Sequence, residues 1–556
     1  MRTEGRFVLW ARSVAPRAGA ARRALGLWAV LFAALARAPS TGAAAAEAGA
    51  ASFSAPAKGP GAFDINEYRV EGAEQFSTLE LEKVLSPFLG PHRALEDVEA
   101  ARMALERAYA DRGFQAVSVA VPAQTVRGGV VTLKVTEGKV GRLRVHGARY
   151  YLPSEVKRQA PSMAEGQVLN LNDIVHDIVV LNQLPDRRVT PALHAGEVPG
   201  TVDVDLNVKD RLPGHGSLEV NNRYSPGTTH TRLNGSIRYD NLWQLGHSLG
   251  FAFQIAPKRL KDGEVYSGTY LARLPDTPWL SFSLSGLVQN SDVSTLGGIA
   301  VAGKGRVFGG RANFTLPGAT GFFHTVSAGL DYKRFLEDVT LGGSTDSNPI
   351  TYWPVSAQYV ANWSRPSSLT QLTLSVVVNI RGLSSPAGQF DAKRYDASGE
   401  FTFVRGEVDR TQELPLGLEL FLRAQGQYAD GPLLGSEQFT AGGVDSVRGY
   451  LEVQAAGDWG YEGSLELRGP SFAHLFGTPA LNEWRLHLFA EGARVGLRDP
   501  LPEQTSVFAL ASVGGGTRAK LFDVLSGSFE VGVPLRSEGA STKHHPQFHF
   551  RLGSEF

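Results

Sequence analysis

Trp484-Arg485-Leu486-His487-Leu488-Phe489-Ala490-Glu491 sets apolar residues at every second position, with polar ones between them except at Phe489. Successive side chains of a strand point to opposite faces. Trp484, Leu486, Leu488 and Ala490 therefore share one face, while Arg485, His487 and Glu491 fall on the other. Gln371–Asn379 repeats the pattern, with Leu372, Leu374, Val376 and Val378 set against Gln371, Thr373, Ser375 and Asn379. The chain ends the same way, with Phe548, Phe550 and Leu552 opposed to Gln547, His549 and Arg551. A soluble sandwich buries such an apolar face against a second sheet. A membrane barrel shows it to lipid and keeps the polar face for the lumen.

Strand-like segments recur from about Gly214 to Phe556, for example Thr229–Tyr239, His247–Ile255, Leu416–Gln425 and Tyr461–Leu467. That length is large for a sandwich, and about sixteen antiparallel strands fit it. Short connections such as Asp240–Gly246 and Leu274–Pro278 alternate with long ones at Asp292–Lys304, Glu337–Ile350 and Gly431–Trp459. Short turns on one rim and long loops on the other are the habit of outer-membrane barrels. The last long connection contains Gly442-Gly443-Val444-Asp445-Ser446-Val447-Arg448-Gly449-Tyr450. An arginine there is either solvated or held inside the barrel. Inside, it needs a counter-charge on the wall, and Glu491 is the predicted partner.

Two smaller units precede the strand-rich region. In 63–137, Phe63–Ala73 reads as a strand, Ser77–Leu85 as a short helix and Ala94–Arg112 as a longer one ended by Gly113. Leu95, Val98, Ala101, Leu105 and Tyr109 make an apolar stripe at helical spacing. Val117–Val121 and Val130–Glu137 read as strands. In 138–210 the same β-α-α-β-β order recurs: Lys139–Gly147, Leu152–Gln159, Asn172–Asn182, Arg188–His194 and Thr201–Val208. Each unit holds enough residues for a small core.

Residues 1–43 read as an export signal: Arg17, Arg22 and Arg23 precede an apolar run at Ala24–Ala36 and small residues follow, with cleavage expected near Ala43 to Ala46. A membrane anchor is the alternative, but the run is short of the ~20 residues a spanning helix needs. Residues 44–62, rich in Ala, Gly and Pro, read as a flexible linker. The 55 basic and 55 acidic residues cancel, which leaves no nucleic-acid footprint. The chain has 0 cysteines, which excludes disulfides and thiolate metal sites. Gly298–Gly305 approaches a phosphate-binding loop but lacks the closing Ser/Thr and a following helix. His544-His545 lacks the companions of a metal site. No nucleophile–base pairing stands out, so neither catalysis, a cofactor nor a metal is expected.

Taken together, these motifs resemble the TpsB transporters of two-partner secretion, the hemolysin secretion/activation family within the superfamily of POTRA-bearing outer-membrane barrels. The resemblance covers nearly the whole chain after the signal. It implies POTRA modules at 63–137 and 138–210, joined at Val135–Val140, and a transmembrane β-barrel at 211–556 whose loop 431–458 folds into the pore. Leu184-Pro185 and Pro199–Asp203 are similar to the second module's loop and closing strand, and Asp240–Gly246 to an early barrel hairpin. Gly442–Tyr450 resembles the signature of the sixth extracellular loop, which makes Val447, Arg448, Gly449 and Tyr450 the pore-loop motif. The family usually has an aspartate where this chain has Glu491, and many members carry a plug helix where this chain has the short, Gly/Pro-rich Ala44–Gly61. Phe556 matches the aromatic end by which barrel-assembly machinery recognises its clients.

The function so implied is outer-membrane export of a partner exoprotein, extended in transit, without nucleotide hydrolysis. The modules lie in the periplasm, and the edge near Val117, Val119 and Val121 receives the cargo. The alternatives are an assembly factor for outer-membrane proteins, which typically carries more modules, and a passive porin or receptor, which leaves 63–210 without a role.

Overall fold

The computed structural model describes residues 63–294, 301–336, 339–341, 344–346 and 349–556; the expected signal peptide and linker at 1–62 lie outside the described residues. The chain divides into two compact units, one ending at Leu212 and one spanning Pro213–Phe556.

The first unit contains two small modules with the same sheet plan. In the first, Glu67–Glu71 runs parallel to Val130–Glu137, which pairs antiparallel with Val117–Ala120. The helix Leu95–Asp111 buries Val98, Ala101, Leu105 and Tyr109 of the expected stripe, but Leu95, its first residue, is exposed at the helix N-terminus. It stops where Gly113 takes φ +95°, which lets Phe114 N–H bond back to the Tyr109 carbonyl at 3.0 Å. The single strand expected over Phe63–Ala73 is instead two. Asn66 and Glu67 both donate their N–H to the Gly129 carbonyl, at 2.7 and 3.2 Å, and the chain kinks there. Phe63–Ile65 then leaves to pair with Gly90–Arg93.

Glu137 closes this module: its carboxylate accepts from the N–H of Glu74 and Gln75 and from the Tyr109 hydroxyl, at 2.8, 3.0 and 2.8 Å. Burial, reinforced by that carboxylate, raises the Tyr109 phenol above its usual range. The second module places Lys139–His146 parallel to Thr201–Asp210, with Arg187–Ala195 antiparallel on the far side. Its helices are Pro153–Arg158 and Leu171–Leu181.

The second unit is a closed antiparallel barrel. Seventeen strand segments close the ring, but Pro349–Tyr352 and Pro354–Arg365 both pair with Phe322–Leu336 and form one stave interrupted at Trp353. The wall therefore has sixteen staves, as the strand pattern predicts. Closure lets neighbouring strands satisfy one another's main-chain groups around the ring, the condition for crossing lipid, with the seam made by Arg551–Glu555 on Ser217–Asn221. The alternation is carried through. On Leu481–Gly496, Leu486 and Leu488 point outward while His487 and Glu491 are buried inward. On Gln547–Glu555, Phe548, Phe550 and Leu552 point outward and His549 inward.

The connections alternate as expected, with two differences. Ser294 pairs with Val301, so the wall strands occupy most of the loop expected at Asp292–Lys304. Residues 301–305 of the glycine-rich stretch lie in the strand Val301–Ala319. A long connection not anticipated, between Asn379 and Thr402, carries the short helix Ala387–Lys393. Its Phe390, with Phe401, joins an apolar cluster that includes Phe335 and Tyr352 of the wall.

A charge on the outer face has no partner in hydrocarbon. Leu488→Arg is expected to destabilise the barrel by about 2–4 kcal/mol, with Leu488→Phe neutral. Urea unfolding of the detergent-embedded protein, followed by tryptophan fluorescence, measures both.

Candidate functional site

The connection between the staves Glu419–Ala429 and Trp459–Arg468 turns into the lumen as a hairpin of Phe439–Ala441 with Ala455–Gly457. Its root is tied twice. The buried Asp458 carboxylate accepts from the N–H of Leu433 and Arg498, at 2.8 and 2.7 Å. The buried Glu437 carboxylate receives Lys333 Nζ at 2.5 Å and the Tyr352 hydroxyl at 2.7 Å. Its tip begins at Gly442 and Gly443, whose φ of +105° and +98° a side chain rarely adopts. A further pair holds the flank: Arg223 lies 3.0 Å from Glu452 and 2.8 Å from Asp445.

Arg448, at the tip, is buried and faces three staves at once. Its main-chain N–H donates to Glu491 Oε2 at 2.6 Å, and its Nε and Nη2 donate to Glu491 Oε1 at 2.8 and 2.5 Å. Nη1 reaches Glu466 at 2.7 Å and Glu530 at 3.3 Å. The guanidinium carbon lies 3.6 Å from the centre of the Phe489 ring. Arg468 and Arg518 also bond these carboxylates, with Arg468 Nε 2.7 Å from Glu466 and Arg518 Nη2 3.0 Å from Glu530. Three guanidiniums thus meet these three carboxylates, and Arg468 also bonds Glu419. Only a planar, five-donor group can serve three acceptors in this way.

The neighbours of Arg448 hold it there. Val447 and Tyr450 are fully buried in a cluster with Phe439, Ala493, Val495 and Leu510, so the tip has its own apolar contact with the wall. The Tyr450 hydroxyl donates to the Arg536 carbonyl at 2.8 Å. Gly449 is required twice. Its φ is +101°, and a Cβ there would stand 3.1 Å from the Gly532 carbonyl carbon on the wall. Gly532 faces the same contact from the other side: its own Cβ would lie 2.6 Å from the Arg448 carbonyl carbon. Two glycines let loop backbone lie directly on stave backbone.

The structure thus brings together Arg448 and Glu491, and Glu491's extra methylene relative to aspartate still reaches the guanidinium. Sequence reasoning missed Glu466, Glu530 and Gly532. The two carboxylates alternate with apolar residues as Glu491 does, so inward parity marked them as charges in the lumen without marking which faced Arg448.

The other expected sites lie elsewhere. Val117 and Val119 lie on an outermost strand of the first module's sheet, and Val121 follows it. The Val119 side chain, however, is buried in the module core rather than displayed. Phe556 pairs both its main-chain groups with Gly216, at 3.0 and 2.9 Å, and its ring stays exposed at the barrel seam. His544 and His545 are exposed in the connection before the last stave.

Residues 63–138 match the POTRA domain of ShlB type, and residues 200–518 match the haemolysin secretion/activation protein family ShlB/FhaC/HecB. The chain is 24% identical over 532 residues to the outer membrane transporter CdiB of Escherichia coli O6:K15:H31, covering 90% of this chain and 84% of that protein. Against CdiB of Dickeya dadantii it is 25% identical, over 72% of this chain and 71% of the relative. The fold is similar to the solved structure of CdiB from Escherichia coli, with a TM-score of 0.63 at 21% identity, over 91% of this chain and 93% of that one.

Removing one member of a buried ion pair typically costs about 3–5 kcal/mol. Arg448→Ala is therefore expected to free the tip, seen as faster protease cleavage within 442–454 and higher conductance in planar bilayers. Glu491→Gln is expected to release it less, because Glu466 and Glu530 still hold the guanidinium; equal release by both variants would contradict a shared site. Gly532→Ala forces a Cβ into loop backbone and is expected to weaken docking by about 1–3 kcal/mol, detectable in the same cleavage assay.

Proposed function

Because this chain belongs to the haemolysin secretion/activation protein family ShlB/FhaC/HecB, we propose that it carries a secreted partner exoprotein from the periplasm to the cell surface by the two-partner secretion route. The protein resides in the outer membrane, its apolar wall against lipid and its POTRA region in the periplasm. The single observation that best supports transport is the tip held in the lumen by Arg448. It stands in the lumen, and its guanidinium is held by polar contacts that water or a passing chain can replace.

The exoprotein crosses extended and is received in the periplasm by backbone pairing with a module sheet edge, at Val117–Val121 in the first module. Displacing the tip breaks the Arg448 contacts and opens the conduit. The lumen's charged lining favours an extended polar backbone over a folded apolar surface. Folding outside, worth about 5–15 kcal/mol for a domain, prevents return and supplies the bias that a nucleotide would otherwise provide. During biogenesis the exposed Phe556 ring is the part presented to the barrel-assembly machinery.

The test is secretion by Arg448→Ala. The variant is expected to reach the outer membrane in normal amount while the exoprotein fails to appear at the surface; unimpaired secretion would remove the tip from the mechanism. Deleting the whole chain should deplete one exoprotein and spare other outer-membrane proteins. A general depletion would instead indicate an assembly factor.

A further inference from the structure

Each module's three-stranded sheet has two outer strands, and on the one that pairs antiparallel the same device occupies the open edge in both modules. Val117–Ala120 pairs only with Val130–Glu137, so alternate residues of it turn their N–H and C=O away from the sheet. At Val119 those groups are already taken. Its N–H donates to Glu106 Oε1 at 3.0 Å, and its carbonyl accepts from Arg102 Nη1 at 3.2 Å. Arg102 and Glu106 sit one turn apart on the helix Leu95–Asp111, 2.7 Å from each other. Together they offer one acceptor and one donor to a single residue, which is what a neighbouring strand would offer.

In the second module the corresponding outer strand is Arg187–Ala195, and Asn182 does the same with one amide. It accepts from Val189 N–H at 2.7 Å and donates to the Val189 carbonyl at 3.0 Å. A lone side-chain cap could arise from local packing. The same two groups, on the corresponding strand, closed by different residues in both modules, point to a common need at that edge.

We infer that Arg102 and Glu106 form a displaceable stand-in for a missing strand, and that what replaces them is an extended, alternately apolar segment of the transported exoprotein. This rests on the reading of the modules as the receiving site. Opening the latch is favourable to exchange because nothing is stranded. Arg102 keeps Glu99, at 2.6 Å, and Glu106 remains within reach of Arg102, so both charges stay paired when they leave the strand. The two main-chain groups pass from side chains to the incoming backbone. The strand then gains further pairing at Val117 and Val121, whose main-chain groups share the outward parity of Val119. Until that happens the closed edge resists pairing with other chains, a hazard of any open strand.

Ser118 provides the test. It is exposed, and beside an added antiparallel strand it occupies a non-hydrogen-bonded pair, where Cα atoms approach to about 4.5 Å, within disulfide range. The chain has 0 cysteines, so Ser118→Cys is its only thiol. The full-length protein in detergent is mixed with a synthetic peptide of alternating valine and threonine whose one central cysteine is activated as its 2-thiopyridyl disulfide, and thiol–disulfide exchange, which releases pyridine-2-thione, is timed. Adding Arg102→Ala and Glu106→Ala is expected to speed it roughly tenfold, by freeing two main-chain groups. Arg102→Lys with Glu106→Gln, which again supplies a donor and an acceptor, is expected to restore the slow rate.

Equal rates in all three proteins would overturn the inference. So would equally fast labelling by a peptide with proline at alternate positions, which cannot pair as a strand. Self-association of the alanine variant without faster labelling would also overturn it, leaving edge protection alone. Bilayer conductance of each variant shows that the barrel is intact. Since no exoprotein is present, a failed latch leaves the transport reading standing, and failed secretion leaves the latch standing.

Discussion

One guanidinium shared among carboxylates on three staves is the contact on which the closed state depends. Arg448 meets Glu466 and Glu491 on two consecutive strands and Glu530 on a third. A buried charge is tolerated only when it is fully paired and hydrogen-bonded. Here the pairing is spread widely, with Arg468 and Arg518 bonding the same carboxylates from other sides. The tip is therefore specified strongly enough to occupy the lumen, and moving it also breaks the small apolar contact that Val447 and Tyr450 make with the wall. The surrounding Val447 and Tyr450 contacts give it position, and the charges give it orientation.

Position depends in turn on two absent side chains. Gly449 and Gly532 put loop backbone against stave backbone, closer than any Cβ permits. Arg448 can reach three carboxylates because its own main chain lies on the wall and its N–H also serves Glu491. A loop held one side chain's width away would reach one stave and leave the other carboxylates to Arg468 and Arg518.

Strand edges unify the two halves of the molecule. The barrel removes its edges by closing, and even its closing seam is extended by a side chain: Asn222 donates to the Phe548 carbonyl at 2.7 Å and accepts from Phe550 N–H at 2.8 Å, beyond the last backbone pair. The modules are too small to close and leave outer strands. On one of these in each module, Arg102 with Glu106, and separately Asn182, fill the place of the next strand. Side-chain mimicry of a backbone partner thus recurs at the barrel seam and at one edge of each module. A sheet that must accept a guest can be kept quiet in this way without being buried.

The sixteen-stave wall was legible in stretches such as Trp484–Glu491 because inside–outside alternation is a local property: each residue's face follows from its neighbour's. Helix stripes such as Val98 to Tyr109 were legible for the same reason. Glu491 as a partner for Arg448 followed from inward parity and opposite charge. Parity could not say that Glu466 and Glu530 converge on the same point, since that depends on stave tilt, register and which staves stand side by side around the closed ring. Nor could it reveal Gly532, whose importance is a close approach between segments far apart in the chain, or the kink at Asn66, which a single carbonyl of Gly129 imposes. Sequence alone determined which side of each strand faces lipid, because that is set by period and polarity. Tertiary structure alone decided which charges meet, because distances across a lumen are fixed only when the wall closes.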